Sequence, residues 1–166
     1  EEHYTVEKRM MLCGYGIKQS EKTERKVALN DIVIHRTGAL SVVNLIVFVN
    51  GEYLNTFRAD GIIISTPTGS TGYNMSAGGP IVDPKASMII ITPINAHNLN
   101  SRSIVIGERR SQKDETVEVS FDGDNAVGLE VGDKFLIRKA DSTTRICKLN
   151  NMSFLEILRK KMKAYT

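Results

Sequence analysis

Tryptophan is absent from this sequence, and cysteine and proline are rare, with two and four copies among 166 residues. Cys13 and Cys147 lie far apart and do not have the spacing of metal ligands. We therefore expect two reduced thiols rather than a disulfide, and no metal site built on cysteine. The sequence opens without a signal-peptide pattern, which favours a cytoplasmic location.

Long apolar runs are also missing. The longest candidates are residues 45–49 and 88–91, whereas a helix that crosses a membrane needs about 20 apolar residues. We therefore expect no membrane partner. Residue 1 is Glu rather than Met, so we expect the chain to be a piece of a longer protein.

Neither sign of charge dominates. Lysine and arginine total 22 and aspartate and glutamate 19, which leaves a net charge of +3. The cations are scattered except for a cluster at 159–163, which is typical of the solvated last turn of a helix, where cations interact favourably with the dipole. There is no basic stripe with interleaved aromatics, so nucleic acid is not an expected partner.

Short β-branched runs between turn residues are what the sequence does contain. They predict strands, and Asn50-Gly51 predicts a type I′ hairpin turn. Near the end, Ser153 and Glu156 have the spacing of a capping box, and the apolar residues after them recur at helical spacing, so this amphipathic helix must dock somewhere. We predict a single domain over 1–166, mainly β, a β-sandwich of many short strands with one C-terminal α-helix. The predicted strands are 4–12, 26–36, 42–49, 53–58, 62–64, 88–92, 104–106, 116–121, 134–139 and 145–149.

Residues 58–84 form the stretch around which the rest is organised, RADGIIISTPTGSTGYNMSAGGPIVDP. Its segment 65–76, which we name the hydroxyl-rich loop, has six Ser or Thr side chains, two glycines and no charge. A phosphate-cradling P-loop needs a lysine that this loop lacks. The loop therefore suits neutral hydrogen-bonding groups such as a sugar, an amide or a base edge, and Tyr73 could lie against an aromatic ring. The alternative is that the stretch 58–84 is a Ser/Gly-rich linker, against which its Ile, Tyr and Met residues argue.

The same stretch resembles the signature of the NAD kinase family. The matching residues are Asp60-Gly61, three apolar residues, then STPTGSTGY, followed by SAGGP at 76–80. Upstream, Ala28-Leu29-Asn30-Asp31 resembles the family's Asn-Glu element. Downstream, TPI at 92–94 and the pattern His97-x-Leu99-x-x-Arg102 resemble the segment that follows. The resemblance covers nearly the whole chain.

The resemblance implies the C-terminal, NAD-binding β-sandwich domain of an enzyme with a second domain. NAD kinases transfer the terminal phosphoryl group of ATP, or in some members polyphosphate, to the adenosine-ribose 2′-hydroxyl of NAD, with Mg²⁺, and the product is NADP. The family's general base is the aspartate of a Gly-Gly-Asp-Gly motif in the N-terminal domain, and this chain lacks that motif. We expect no catalytic residue here and an inactive chain when it stands alone. Residues 121–124, Phe-Asp-Gly-Asp, are similar to part of that motif, but Asp-Gly between two strands is more typical of a hairpin turn.

The family's NAD-contacting positions carry over residue by residue. Asn30 is expected at the adenosine and Asp31 at the ribose hydroxyls, where Asp replaces the usual Glu and is one methylene shorter. Asp60 is expected at the nicotinamide carboxamide. Gly72 stands where alanine is usual, and Tyr73 is expected to pack against the dinucleotide. The implied NAD-binding residues are Asn30, Asp31, Asp60, Thr68, Thr71, Gly72, Tyr73 and Ser76, with Asn95 and His97 as weaker candidates.

Residue chemistry alone leaves other interpretations open. Asn30-Asp31 and Asp60 could be turn residues, Tyr73 a core tyrosine and His97 a structural histidine. The chain could be a stand-alone, non-catalytic dinucleotide-binding module. It could also belong to a lipid kinase, since diacylglycerol and sphingosine kinases share the architecture, but the hydroxyl-rich loop disfavours an acyl chain. The resemblance further implies a homo-oligomer, either a dimer or a tetramer, that binds NAD and NADP.

Overall fold

The computed structural model describes residues 4–19, 21–37, 42–97, 101–107, 111–112, 117–130, 132–149 and 152–163. Strands dominate these residues and form two antiparallel sheets, which confirms the predicted mainly-β sandwich. In chain order the strands are β1 (Thr5–Lys18), β2 (Glu21–Lys22), β3 (Lys26–Ala28), β4 (Asp31–His35), β5 (Val43–Val49), β6 (Glu52–Ala59), β7 (Gly61–Ser65), β8 (Ile89–Ile94), β9 (Ile104–Ile106), β10 (Ser111–Gln112), β11 (Val117–Phe121), β12 (Asp124–Leu129) and β13 (Lys134–Lys148). The helices are α1 (Tyr73–Ser76) and α2 (Phe154–Lys163), and a 3₁₀ turn covers Gly69–Thr71.

The larger sheet has the strand order β2-β1-β13-β10-β5-β6, with β3 also paired to β1. The smaller sheet has the order β12-β11-β4-β7-β8-β9. The chain therefore changes sheet between β3 and β4, where Asn30 lies. The sequence predicted one strand over 26–36, and this is wrong because the two halves of that segment pair in different sheets.

Two strands are much longer than the sequence predicted. β1 continues through Gly14, beyond the predicted end at residue 12. A Cβ at Gly14 would lie only 2.8 Å from the Phe135 ring, so glycine lets this ring pack against the strand. β13 runs unbroken across the predicted gap at 140–144. The register of its pairing with β1 shifts within this segment, between Met10 and Leu12 of β1. Arg138 holds the shifted segment with two hydrogen bonds to Asp141, at 2.9 and 2.7 Å.

The hairpin predicted at Asn50-Gly51 is confirmed, since β5 and β6 pair on either side of it. Asn50 has φ 55° and Gly51 has φ 84°, as a type I′ turn requires. The turn at Asp122-Gly123 repeats the pattern with φ values of 50° and 84° and joins β11 to β12. The sequence analysis predicted this turn but missed β12.

The core lies between the two sheets. Side chains alternate along each strand, so Ile32 and Ile62 of the smaller sheet point inward. The rings of Phe121 and Phe135 come from opposite sheets and meet edge to face, with centroids 6.0 Å apart. The residues between, such as Leu12, Leu45, Phe57 and Ile91, are completely buried or nearly so. This face of the smaller sheet is therefore fully occupied.

The other, outer face of the smaller sheet is only partly covered. Ile63, Ile90 and Thr92 lie on it and are as buried as core residues. The Thr92 hydroxyl donates to Asn74 Oδ1 at 2.7 Å, so the chain around α1 lies over these three residues. The neighbouring part of the outer face, beyond β7, remains open.

The C-terminal helix begins as predicted. The Ser153 N–H donates to Glu156 Oε2 at 2.7 Å, and the Glu156 N–H donates to Ser153 Oγ at 3.2 Å, which completes the capping box. The helix docks only in part among the described residues: Phe154 and Leu158 are half-buried, whereas Leu155 and Met162 remain 65% and 57% exposed. Within the described part of the chain, no helix is long and apolar enough to cross a membrane.

Candidate functional site

An open pocket of about 1000 Å³ occupies the exposed part of the outer face of the smaller sheet. Asp31, Val33 and His35 of β4 form its floor, because their neighbours Ile32 and Ile34 point into the core. The hydroxyl-rich loop forms one wall. The lining residues are Asn30, Asp31, Val33, His35, Arg36, Thr37, Asp60, Thr68, Thr71, Gly72, Tyr73, Ile94, Asn95, Ser120, Asp122, Gly123 and Lys161.

The pocket gathers most of the residues that sequence analysis selected. Those that line it are Asn30, Asp31, Asp60, Thr68, Thr71, Gly72, Tyr73 and Asn95. Ser76 is exposed in α1 and is not part of the described lining. His97 also lies outside that lining, and its N–H donates to the Arg58 carbonyl at 2.8 Å. Leu99, part of the downstream pattern, lies outside the described residues.

The hydroxyls of the loop divide into two groups, and the first group holds the loop together. Thr66 Oγ1 donates to the Leu29 carbonyl at 2.7 Å and accepts from the Gly69 N–H at 3.1 Å. Ser70 Oγ lies 2.7 Å from the Pro67 carbonyl and accepts from the Val82 N–H at 3.0 Å. These buried hydroxyls make only internal bonds, so they shape the wall rather than offer groups to a ligand.

The second group faces the pocket. Thr68 Oγ1 is buried yet has no hydrogen-bond partner among the described residues. A buried hydroxyl without a partner costs free energy, which a ligand could recover by bonding to it. Thr71 is half-buried, and Tyr73 presents a ring that is 48% exposed. Thr68, Thr71 and Tyr73 therefore form the part of the loop that can contact a ligand.

Asn74 is the internal brace of the loop and is completely buried. Its Nδ2 donates to the carbonyls of Ser70 at 3.2 Å and Pro80 at 2.9 Å, and its Oδ1 accepts from Thr92. A single side chain thus joins both ends of α1 to β8. Gly79 packs against it so closely that a Cβ would lie 2.2 Å from Asn74 Oδ1.

The loop presses against the chain at Asn30. The Thr66 N–H donates to the Asn30 carbonyl at 2.8 Å, and Ser65 Oγ donates to the same oxygen at 3.3 Å. Gly69 lies so near that a Cβ would approach the Asn30 oxygen to 2.2 Å. Only glycine allows this contact, which explains one glycine of the motif without reference to any ligand.

Asp122 holds the opposite side of the same segment. Its carboxylate accepts from the N–H of Leu29 at 2.7 Å, of Asn30 at 2.7 Å and of Asp31 at 3.0 Å. The Asp122 N–H in turn donates to the Asp31 carbonyl at 3.0 Å. The loop bonds to the carbonyls of residues 29–30, and Asp122 bonds to the amides of residues 29–31. The backbone of this segment is therefore fixed at the rim of the pocket.

Asp31 is a buried carboxylate on the pocket floor, only 6% exposed. Burial, and secondarily the nearby Asp122 carboxylate, raises the pKa of Asp31 from 3.8 to about 6. The group is therefore mostly ionised at neutral pH and acquires a proton in mild acid. A buried carboxylate of this kind can accept hydrogen bonds from hydroxyls of a ligand.

Asp60 is held from two sides at the far end of the pocket. Arg36 Nε lies 3.1 Å from its Oδ1, and Asn95 Nδ2 donates to its Oδ2 at 3.0 Å. The Arg36 N–H also donates to the Asp60 carbonyl at 3.0 Å. Because a carboxylate has about four lone-pair sites, it retains acceptor capacity for a ligand.

Lys161 reaches the pocket from α2. Its Nζ donates to Thr71 Oγ1 at 3.2 Å and to the Thr71 carbonyl at 3.3 Å. The two cations of the described lining, Arg36 and Lys161, thus come from segments that are far from the hydroxyl-rich loop in sequence. The described residues contain no group of three or more His, Cys, Asp or Glu placed to hold a metal ion.

Sequence reasoning missed Arg36, Asp122 and Lys161. Asp122 was interpreted as a turn residue, which it is, but its φ of 50° also turns its carboxylate to three amides about 90 residues away in sequence. Lys161 was assigned to a solvated helix end. No local pattern distinguishes it from Lys160, because its contact depends on where the helix lies.

A family model described as the ATP-NAD kinase C-terminal domain matches residues 29–149. The chain is 57% identical to an NAD kinase of Agathobacter rectalis over 173 residues, covering 98% of this chain and 60% of the relative. It is 44% identical to an NAD kinase of Lachnoclostridium phytofermentans, covering 95% and 60%. This chain therefore spans about 60% of the length of these curated relatives.

Two solved structures are similar to it. The crystal structure of yeast NADH kinase complexed with NADH matches 95% of this chain and 48% of its own, with a TM-score of 0.87 at 30% identity. An NAD kinase from Archaeoglobus fulgidus in complex with ATP matches 96% of this chain and 61% of its own, with a TM-score of 0.80 at 25% identity. The sandwich and its strand arrangement are thus shared with both proteins.

Proposed function

This chain belongs to the ATP-NAD kinase C-terminal domain family, and from that we propose that it is the NAD-binding domain of an NAD kinase. The whole enzyme would transfer the terminal phosphoryl group of ATP to the adenosine-ribose 2′-hydroxyl of NAD. The observation that carries this proposal is the pocket, in which the Asn30-Asp31 segment, the unpartnered Thr68 hydroxyl and Asp60 line one open cavity. Its volume of about 1000 Å³ is at the upper end of the range for ligand sites, as a dinucleotide needs.

The residues of the pocket have distinct proposed roles. Asn30 reads the adenosine, because its amide can donate and accept at the same time. Asp31 accepts from ribose hydroxyls, and Thr68 Oγ1 gains there the partner that it lacks. Tyr73 packs its exposed ring against the dinucleotide. Asp60, already oriented by Arg36 and Asn95, accepts from the nicotinamide carboxamide.

Four further residues are assigned to NAD binding by resemblance, with less support from the pocket: Gly72, Ser76, Asn95 and His97. Gly72 and Asn95 line it, but Asn95 already donates to Asp60. For Ser76 and His97 we propose contacts only with parts of the ligand, or of a neighbouring copy, that extend beyond the described lining. Thr71 supplies both a carbonyl and a hydroxyl at the rim.

Phosphoryl transfer depends mainly on positioning and on electrostatic stabilisation of the transferred group. In our proposal this chain contributes the positioning of the acceptor hydroxyl, and an N-terminal domain contributes ATP, or polyphosphate, and the general base. We assign Mg²⁺ to that other domain, where it would be bound together with ATP. We expect the 166-residue chain alone to form no NADP.

We further propose that the enzyme is cytoplasmic and a homo-oligomer, a dimer or tetramer, associated through this domain. The strands β6 and β9 lie at sheet edges among the described residues, and exposed edges are commonly covered by a partner. Val105 on β9 and Tyr53 on β6 are exposed apolar side chains at those edges. Light scattering of the full-length protein at tens of micromolar tests this, and a monomeric mass would contradict it.

The central test compares Asn30→Ala, Asp60→Ala, Tyr73→Ala and Tyr73→Phe in the full-length protein. Loss of a hydrogen bond to a charged group costs roughly 1.5–3 kcal/mol and loss of a neutral one about 1 kcal/mol. We therefore expect the NAD KM to rise about ten- to a hundredfold for Asp60→Ala and less for Asn30→Ala. The ATP KM should stay nearly constant. Tyr73→Phe, which keeps the ring, should have little effect, whereas Tyr73→Ala should weaken NAD use.

Unchanged NAD kinetics in folded Asp60→Ala and Tyr73→Ala proteins would show that the pocket is not the NAD site. A full-length protein that bound NAD but formed no NADP with ATP or polyphosphate would instead support the non-catalytic module. A lipid kinase would need an apolar cleft, and the pocket lining, with its carboxylates and hydroxyls, does not supply one.

A further inference from the structure

The pocket wall contains a cation that the hydroxyl-rich loop lacks. No lysine or arginine occurs between Arg58 and Lys85. Lys161 of α2, 90 residues from Thr71, places its ammonium group at the loop and donates to both Thr71 oxygens, at 3.2 and 3.3 Å. The loop therefore obtains a positive charge from a different element.

The charges that line the pocket indicate a role for the contact between Lys161 and Thr71. Three carboxylates, Asp31, Asp60 and Asp122, line it, and they repel a phosphate-bearing ligand. Of the two cations in the described lining, Arg36 is paired with Asp60. The contacts that the structure gives Lys161 are with neutral oxygens, so its charge is not offset by a carboxylate among the described residues.

We propose that Lys161, together with the Thr71 hydroxyl, binds a phosphate group in this pocket. An ammonium group has three N–H donors, and Thr71 takes two of them, so one remains for a phosphate oxygen. Because Thr71 Oγ1 accepts from Lys161, its own proton is available to donate to the same phosphate. Two adjacent donors, one of them charged, make a favourable anion site.

This inference rests on the proposed function, in which the pocket takes a dinucleotide. The phosphate could come from the dinucleotide's pyrophosphate or from the phosphoryl group that the donor transfers. Both present the same chemistry to Lys161. They differ in which substrate depends on it, and the experiment separates them on that basis.

Lys160 supplies a matched control. It is the adjacent lysine of the same helix, but its Nζ lies 3.6 Å from Met152 Sδ and it is not part of the described pocket lining. Lys160→Gln and Lys161→Gln make the same change of charge one residue apart. A general electrostatic effect on NAD affinity would appear in both variants, whereas a phosphate contact would appear in one.

The experiment measures equilibrium binding of NAD and of adenosine, which has no phosphate, to full-length wild type, Lys160→Gln, Lys161→Gln and Lys161→Arg. If the phosphate is that of the dinucleotide, Lys161→Gln should weaken NAD binding about tenfold, as expected for one charge-assisted hydrogen bond, and leave adenosine binding within about twofold. Its NAD affinity should also depend less on salt. Lys161→Arg should recover part of the loss, and Lys160→Gln should match wild type.

If the phosphate is the one transferred, Lys161→Gln should bind NAD normally but lose about tenfold in kcat or in the KM for the donor. Either pattern supports the proposal and identifies the source. The proposal is overturned if Lys161→Gln matches Lys160→Gln in binding and turnover, or if it loses adenosine and NAD affinity equally. If wild type binds no NAD, the proposed function fails and this inference fails with it.

Discussion

Asp122 accepts a hydrogen bond at 2.7 Å from the backbone N–H of Asn30, 92 residues earlier in the chain. The same carboxylate accepts from Leu29 and Asp31, so one side chain fixes three consecutive amides. The side chains at the pocket rim are thus positioned by a residue of the β11–β12 turn. This relationship makes Asp122 a positioning residue for the proposed NAD site.

Replacing Asp122 with Ala should loosen the Asn30-Asp31 segment. Because Asp122 is exposed and water can replace it, we expect a loss of about 1–3 kcal/mol in the free energy of unfolding. The NAD KM of the full-length enzyme should rise more than kcat falls, since the ligand site is displaced and the chemistry is not. Asp122→Asn, which keeps one oxygen acceptor, should be intermediate. Steady-state kinetics and urea unfolding measure both effects.

Asp124→Ala is the control for that prediction. Asp124 belongs to the same turn region and is exposed, but the pocket lining includes Asp122 and not Asp124. Its replacement should leave the NAD KM unchanged. Equal effects of the two substitutions would show that the turn, rather than the carboxylate of Asp122, determines the geometry at Asn30.

Asp31 should make stability depend on pH. Its pKa is about 6 in the folded protein, compared with 3.8 for an ordinary aspartate, as in the unfolded chain. The folded state therefore binds this proton more tightly than the unfolded chain does. The stabilisation from this group is full below pH about 4 and is lost as pH rises through 6. Asp31→Asn, which cannot ionise, should therefore gain stability relative to wild type as pH rises from 4 to 7.5, by about 1–2 kcal/mol after solvent screening. Urea unfolding at both pH values measures this gain.

The same group should affect NAD use. In the proposed site, the ionised form of Asp31 is the better acceptor for ribose hydroxyls, so the NAD KM of wild type should fall between pH 5 and 7. In Asp31→Asn this pH dependence should flatten. A wild-type KM that does not change across this range would place the ribose hydroxyls elsewhere.

Two glycines of the motif should respond differently to alanine. A Cβ at Gly69 would lie 2.2 Å from the Asn30 carbonyl oxygen, whereas one at Gly72 would come no nearer than 3.3 Å to the Gly69 oxygen. We expect Gly69→Ala to cost about 1–3 kcal/mol of stability, since backbone must move. Gly72→Ala should change stability by less than about 0.5 kcal/mol. Thermal unfolding of the two variants compares them, and equal losses would contradict the close approach at Asn30.

Much of the fold could be predicted because local chemistry determines it. Asn50-Gly51 requires positive φ and gives a hairpin, and Ser153 with Glu156 gives a capped helix start. The apolar run at 62–64 becomes a strand buried on both faces. The pocket residues from Asn30 to Tyr73 were found because their motif is long and specific.

The remaining features depend on contacts that are distant in sequence. Residues 141–144 are polar and look like a turn, but pairing with β1 on either side of the register shift and the Arg138–Asp141 ion pair keep them in a strand. Gly14 looks like a strand break until Phe135 lies against it. Lys161 reaches Thr71 only because α2 lies beside the loop. No window of local sequence contains these pairs.

The hydrogen bonds that hold the pocket rim also limit what the motif can do by itself. Asn30 is joined to Ser65 across 35 residues and to Asp122 across 92. A synthetic peptide of residues 58–84, or the same segment transplanted into another scaffold, would keep Asp60, Thr68 and Tyr73. It would lose Asn30 and Asp31, together with the partners that orient the segment at the pocket rim. If the pocket binds NAD as we propose, the binding unit is therefore the junction of β4, β7 and β11, and recombination that separates these strands should abolish NAD recognition even where the motif is intact.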